Sequence, residues 1–356
     1  MKAKTVLYSM FVFVPASFWL GLTHAAPVAV FAVSCLAILP LAGIMGEATE
    51  SLAHRAGPGL GGLLNATFGN AAELIIAFMA LRAGETEIVK ASLTGSIIGN
   101  MLMVLGLSML LGGWKHKELR FSRLAGETGS GMMVLAVVAL VIPAIYASVT
   151  QHSHPEHIES ISLDISWILI LTYLASLVFQ FKTHNRFFAP EQAPDAAVEI
   201  EEGHPWSPTR SVLVLLGAAV LIGFVSEFLV HAVDAAGTAL GLGKVFMGVV
   251  VVAVVGNAAE HSTAIVAAMK GKMDLALGIA MGSSMQIALF VAPVLVIAGH
   301  FMGTPLGLEF TILEVAAVML SVFAVANLVQ DGKTNWFEGV QLLAIYWILA
   351  VTFYFV

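Results

Sequence analysis

The chain has 356 residues, of which 59% are hydrophobic and 11% charged, with a mean hydropathy of +0.92. That balance excludes a soluble globular domain and requires an integral membrane protein. The formal charge of −7 gives no basic surface for nucleic acid, and the single Cys35 excludes an intrachain disulfide.

Apolar runs of about 20 residues predict spanning helices; barrel strands would be shorter and alternating. The first span, 5–22, lies in an N-terminal unit, 1–25. It reads as a retained anchor, because it lacks a convincing small-residue cleavage site and the next span follows almost at once. Spans 27–53, 59–82, 88–113, 126–149 and 160–181 fill a second unit, 26–182. Residues 183–209 form a linker punctuated by Pro190, Pro194, Pro205 and Pro208, with the acids Glu191, Asp195, Glu199, Glu201 and Glu202. Spans 210–235, 243–269, 273–299, 308–330 and 336–355 fill the last unit, 210–356. The expected fold is all-α with eleven transmembrane helices.

Lys and Arg set the orientation. With the N-terminus inside, thirteen lie on the inner side and only Arg82, Lys90 and Lys244 on the outer. The positive-inside rule therefore puts the N-terminus in the cytoplasm and the C-terminus outside.

A pentapeptide is duplicated. Gly69-Asn70-Ala71-Ala72-Glu73 recurs as Gly256-Asn257-Ala258-Ala259-Glu260, each inside a predicted span. Upstream, Glu50 and His54 match Glu227 and His231. Downstream, Gly95-Ser96 and Gly282-Ser283 each follow their glutamate by 22 and 23 residues. Five spans per copy force the copies into opposite orientations, the inverted-repeat plan of many secondary transporters. Carboxylates in hydrocarbon are costly and persist mainly where they bind or move something.

These residues resemble the cation/proton exchanger (CAX) family of the calcium/cation antiporter superfamily. The resemblance rests on Gly69–Ala80 with Gly95–Gly106, and on Gly256–Met269 with Gly282–Pro293, and covers essentially the whole chain. It implies exchange of cytosolic Ca²⁺ for protons, with Glu73 and Glu260 as central cation ligands. Asn70, Asn257, Ser96, Ser283 and Gln286 would complete the polar lining. Gln286 aligns with Gly99 rather than Asn100, so Asn100 is less firmly attached to the site.

The physical chemistry agrees. Ca²⁺ takes six to eight oxygen ligands in a flexible shell, which carboxylates, amides, hydroxyls, carbonyls and water supply. Asn70 and Glu73 are three apart and share a helix face, as do Asn257 and Glu260. The glycine before each Asn permits local unwinding. Two anionic carboxylates facing each other at low dielectric repel. One Ca²⁺ or two protons neutralise them, so exchange is the minimal scheme. Ca²⁺ and H⁺ are then substrates, the bilayer is the partner, and no cofactor or enzymatic activity is expected.

Bland alternatives stand beside these assignments. Asn70, Asn257, Ser96, Ser283 and Gln286 also suit helix–helix hydrogen bonding, and Gly95 and Gly282 suit close packing. Glu50–His54 and Glu227–His231 are either a proton relay or gate, or interfacial pairs. Glu314 either supports the site from behind or packs against a polar partner. The acidic linker either senses Ca²⁺ or is a solvated loop, and His152, His154 and His157 either collect metal or are loop residues. The rival function with the same fold is Na⁺/Ca²⁺ exchange; a passive channel is the rival from another class. The absence of a long N-terminal extension favours a prokaryotic plasma (inner) membrane.

Overall fold

The computed structural model describes residues 2–150, 155–184 and 206–356. These are overwhelmingly helical, as the bilayer demands, since a helix satisfies its own backbone groups away from water. Among the described residues, the only sheet is a pair of two-residue strands, with Leu119 opposite Thr334 and Arg120 opposite Lys333.

Among the described residues, eight helices are long and apolar enough to cross a membrane. A bent pair, Lys244–Gly256 and Ala258–Met269, meets at 63° and makes a ninth. The difference from eleven falls on two places. The expected span 308–330 contains a 17-residue helix, Ile312–Leu328. The expected span 59–82 is divided between the end of a 42-residue helical run, Pro27–Phe68, and the helix Ala71–Arg82.

That run is not straight. A Cβ on Gly61 would lie 2.3 Å from the Ala53 carbonyl oxygen. Residues eight apart in a straight helix are about 12 Å apart along the axis. The chain therefore folds back between 53 and 61, where the sequence reading divides its second and third spans.

Two long helical runs, the first of them folded back on itself, organise the molecule. Pro27–Phe68 packs along Pro208–Leu240, which starts on a Ser207 N-cap and stops at the left-handed Gly241. The N-terminal helix Phe13–Leu22 joins the first of these through Ser17 and Ser34, whose hydroxyls lie 2.9 Å apart. It also meets the second, where Gly21 sits against the Phe228 ring.

Inside this frame lie two shorter pairs. The motif helices, Ala71–Arg82 and Ala258–Met269, each begin at the Asn of the pentapeptide. The seam helices, Thr86–Ile98 and Met273–Gln286, carry the Gly-Ser motifs and run on through wider π turns into Leu105–His116 and Ala292–Met302. Such π segments recur at functional sites.

Candidate functional site

Each pentapeptide sits at a helix break. Asn70 has φ −100° and ψ 27°, and Asn257 has φ −90° and ψ 5°. Asn is a preferred N-cap because its side chain usually bonds the first free amides. Neither side chain does so here. Both reach across to the other half of the chain instead.

The result is one continuous network. The Asn70 amide donates to Gln286 Oε1. Ser283 Oγ donates to Asn70 Oδ1 at 2.7 Å and accepts from Asn100 Nδ2 at 2.9 Å. Asn100 Nδ2 also donates to Asn257 Oδ1 at 3.2 Å. Asn257 Nδ2 donates to Ser96 Oγ at 2.8 Å and to the Ala253 carbonyl at 2.8 Å. The Asn of each motif thus bonds the Ser of the other half. The helix–helix alternative foreseen for these five residues is present in this geometry, and Asn100 stands at its centre rather than at its margin.

The carboxylates lie alongside. Glu73 is buried and Glu260 half-buried, and each has a buried Oε2 with no hydrogen-bond partner among the described residues. Buried unpaired acceptors are expensive, so these two atoms are the open valences of the site. Glu73 also reaches the other motif: a Cβ on Gly256 would be 3.4 Å from its Cγ and 3.7 Å from its Oε1. Both glutamates occupy the first turn of their motif helices.

A cavity of about 620 Å³ opens onto both carboxylates, with Ser283, Gln286, Glu47 and Glu50 also in its wall. Among the described residues, no three His, Cys, Asp or Glu side chains converge as a metal site. A cation here would have to complete its shell with amide, hydroxyl, backbone or water oxygens, which a hard ion such as Ca²⁺ accepts.

The candidate relay residues separate. Glu50 lines the large cavity, and the exposed His54 does not. Glu227 and His231 line a different cleft of about 150 Å³, with Met79, Arg82, Ala83 and Val230. Neither Glu–His pair is hydrogen bonded among the described residues. Glu314 closes a capping box with Thr311, accepting from its backbone NH at 2.9 Å and its hydroxyl at 2.8 Å, and Thr94 donates to it at 3.4 Å. It thus caps its own helix and also has a polar partner on the first seam helix. Gly95 is packed against the Val249 carbonyl, whereas nothing lies within 4 Å of a Cβ on Gly282.

Two residues escape the sequence reading. Glu47 stands one turn before Glu50 in the cavity wall, and its Oε2 accepts from Tyr8 at 3.1 Å. His261 follows Glu260 and is buried, with Nε2 unpartnered among the described residues. The signal for Glu47 is its i, i+3 spacing to Glu50; for His261 it is the departure from Leu74 in the other copy. His157 meets the Tyr146 hydroxyl at 3.1 Å, while His152, His154 and the five linker acids lie outside the described residues.

A family model described as "Sodium/calcium exchanger protein" matches residues 26–182 and 210–355. The chain belongs to this family, on its cation/proton exchanger branch. It is 45% identical to the Ca²⁺/H⁺ antiporter ChaA of Bacillus subtilis, over 96% of each chain. It is 42% identical to a Ca²⁺/H⁺ antiporter of Aphanothece halophytica, over 100% of this chain and 98% of that one. Its fold superposes on the solved structure of native YfkE with a TM-score of 0.85 at 40% identity, covering 99% of this chain and 100% of the other. The exchanger family consists of membrane transporters, and this chain is one of them.

Proposed function

We propose that this exchanger moves Ca²⁺ out of the cytosol against protons, by alternating access around one site built on Glu73 and Glu260. The observation that carries the proposal is the pair of carboxylate residues lining one cavity, each with a buried oxygen that has no hydrogen-bond partner among the described residues. The names borne by the relatives in Bacillus subtilis and Aphanothece halophytica support the same pair of ions.

The chemistry is substitution at a charged hole. One Ca²⁺ bridges both carboxylates, with Asn70, Asn257, Ser96, Ser283 and Gln286 holding the frame and lending oxygens as they reorient. Two protons, one on each carboxylate, leave a neutral pair that the protein also carries across. An empty dianionic site at low dielectric is too costly to move, so neither ion travels without the other. Glu50 and Glu227, at opposite ends of the long helices, accept and pass protons or gate the two approaches.

Alternation needs two related arrangements of the same parts. Eleven spans, one anchor helix followed by two inverted five-helix copies, supply them. The equivalent breaks at Asn70 and Asn257 and the reciprocal Asn–Ser bonds support that plan. With the N-terminus cytoplasmic and the C-terminus outside, the large cavity faces the cytosol and is the Ca²⁺ loading side. A prokaryotic plasma membrane fits this direction of transport.

The test is radiolabelled Ca²⁺ uptake into proteoliposomes with an imposed pH gradient, with and without Na⁺. Uptake should follow the proton gradient and ignore Na⁺. Uptake that requires Na⁺ and ignores pH would favour the Na⁺-coupled alternative, and conductance far above carrier turnover would favour the channel.

A further inference from the structure

The small cleft has two walls. One is the end of the first motif helix, with Met79, Arg82 and Ala83; the other is the second long helix, with Glu227, Val230 and His231. Just beyond the first wall stands Glu85, and just beyond the second stands Asp234. Lys244, at the start of the bent pair, bonds both. Its Nζ donates to Glu85 Oε2 and, at 3.0 Å, to Asp234 Oδ2. One ammonium therefore ties the two walls together, with its side chain 30% exposed. A second pair stiffens the neighbouring segment: Lys90 Nζ meets Glu309 Oε1 at 2.7 Å.

The repeat gives the control. The turn that carries Glu85 has Gly84 at φ 82°, and its counterpart in the other copy has Gly271 at φ 78°. The residue after Gly271 is Lys272, opposite in sign to Glu85, and it has no ion partner among the described residues. The same turn thus carries an ion-pair tie beside the small cleft, whereas its counterpart has no ion pair among the described residues and is met by Lys115 and His116 on the Met269 carbonyl.

We propose that Lys244, with Glu85 and Asp234, clasps the outer cleft and holds the resting carrier open toward the cytosol. These are positioning residues: they act on which side the Glu73–Glu260 site faces, not on the ions. The proposal rests on the alternating-access reading above. A clasp made of one partly exposed cation and two carboxylates contributes little in water and is easily broken, which suits a part that must open in every cycle. It biases a two-state equilibrium without locking it.

The test uses the full chain in proteoliposomes on a Cys35→Ala background. Met79→Cys reports on the small cleft and Gly46→Cys on the large cavity, whose wall has nothing within 4 Å of a Cβ at Gly46. A membrane-impermeant thiol reagent is applied from each side. Lys244→Met should raise Met79→Cys labelling and lower Gly46→Cys labelling, each about two- to fivefold. The half-saturating cytosolic Ca²⁺ concentration should rise by a similar factor. Asp234→Asn and Glu85→Gln should move both reporters in the same directions, and Lys244→Arg should restore the parent pattern. A purely structural lysine would not shift the two reporters in opposite senses. If the parent protein alternates with Ca²⁺ and acid while every neutralising variant that folds leaves both reporters unchanged, the clasp is wrong and alternation stands. If the parent reporters ignore Ca²⁺ and acid altogether, alternating access fails and the clasp fails with it.

Discussion

The cavity beside Glu50 and the cleft beside Glu227 are built from matching stretches of the two copies, yet they differ fourfold in volume, about 620 Å³ against about 150 Å³. The glycines show the same contrast. A Cβ on Gly95 would sit 2.0 Å from the Val249 carbonyl oxygen, while Gly282 faces open space. Matching motifs of the two copies therefore occupy two environments at once. On the alternating-access proposal this contrast is expected, because what is packed in one copy would be unpacked in the other.

The sharpest way to break that comparison is to remove the paired carboxylates that line the large cavity and not the small cleft. Glu73→Gln and Glu260→Gln keep the volume but neither bind Ca²⁺ by charge nor release a proton. Each should bring exchange down to the level of protein-free vesicles, with the unfolding temperature at or above that of the parent, since a buried charge is relieved. Robust exchange by either folded variant would remove its carboxylate from the coupling site.

The glycine pair comes next. Gly95→Ala forces a methyl into a backbone carbonyl and should cost about 1–3 kcal/mol of stability, read as a lower unfolding temperature in detergent. Gly282→Ala should leave that temperature unchanged and still slow transport, because its free space is needed in the opposite arrangement. Equal destabilisation by both would mean that the two environments are alike.

Asn100 tests the network between the halves. Asn100→Leu strands Asn257 Oδ1 and takes one donor from Ser283 Oγ, which keeps its bond to Asn70, and should cost about 1–3 kcal/mol, while Asn100→Ser should cost less. The readout is thermal unfolding beside the Ca²⁺ concentration at half-maximal rate.

Proton competition should be milder and one-sided. Acidifying the large-cavity side fills the carboxylates with protons, so the Ca²⁺ concentration for half-maximal rate on that side should rise as pH falls, at unchanged maximal rate. A rate independent of pH on that side would deny that Ca²⁺ and protons share the site. The smallest effect belongs to the linker. Neutralising Glu191, Asp195, Glu199, Glu201 and Glu202 should leave the maximal rate intact and shift Ca²⁺ dependence at most about threefold, as expected of screened surface charge. Loss of exchange at saturating Ca²⁺ would place those acids in the transport path.

Much of this was legible in the chain because bilayers impose length and the motif imposes place. Gly69-Asn70 and Gly256-Asn257 marked both helix breaks. Asn100 was undervalued for a geometric reason. Aligning the copies sets Gln286 against Gly99, but helices compare faces rather than columns. Asn100 lies four residues after Ser96, Gln286 lies three after Ser283, and both spacings return to one face. Glu314 was open to two readings although Thr311-x-x-Glu314 already spelled a capping box. The partition of Glu50 and Glu227 between separate cavities was not legible, since it depends on how the helices pack in space rather than on which residues they carry.

The chain ends have a practical consequence. Tyr8 bonds Glu47, and Leu7 and Met10 stand in the large cavity's wall, so the first helix borders the mouth of the site. At the other end, a Cβ on Gly243 would lie 3.4 Å from the Val356 carbonyl carbon, next door to Lys244. An affinity tag or fluorescent fusion is therefore not a neutral handle on this molecule. One joined near the first helix should change transport through the large cavity, and one joined at Val356 should do so beside Gly243 and Lys244.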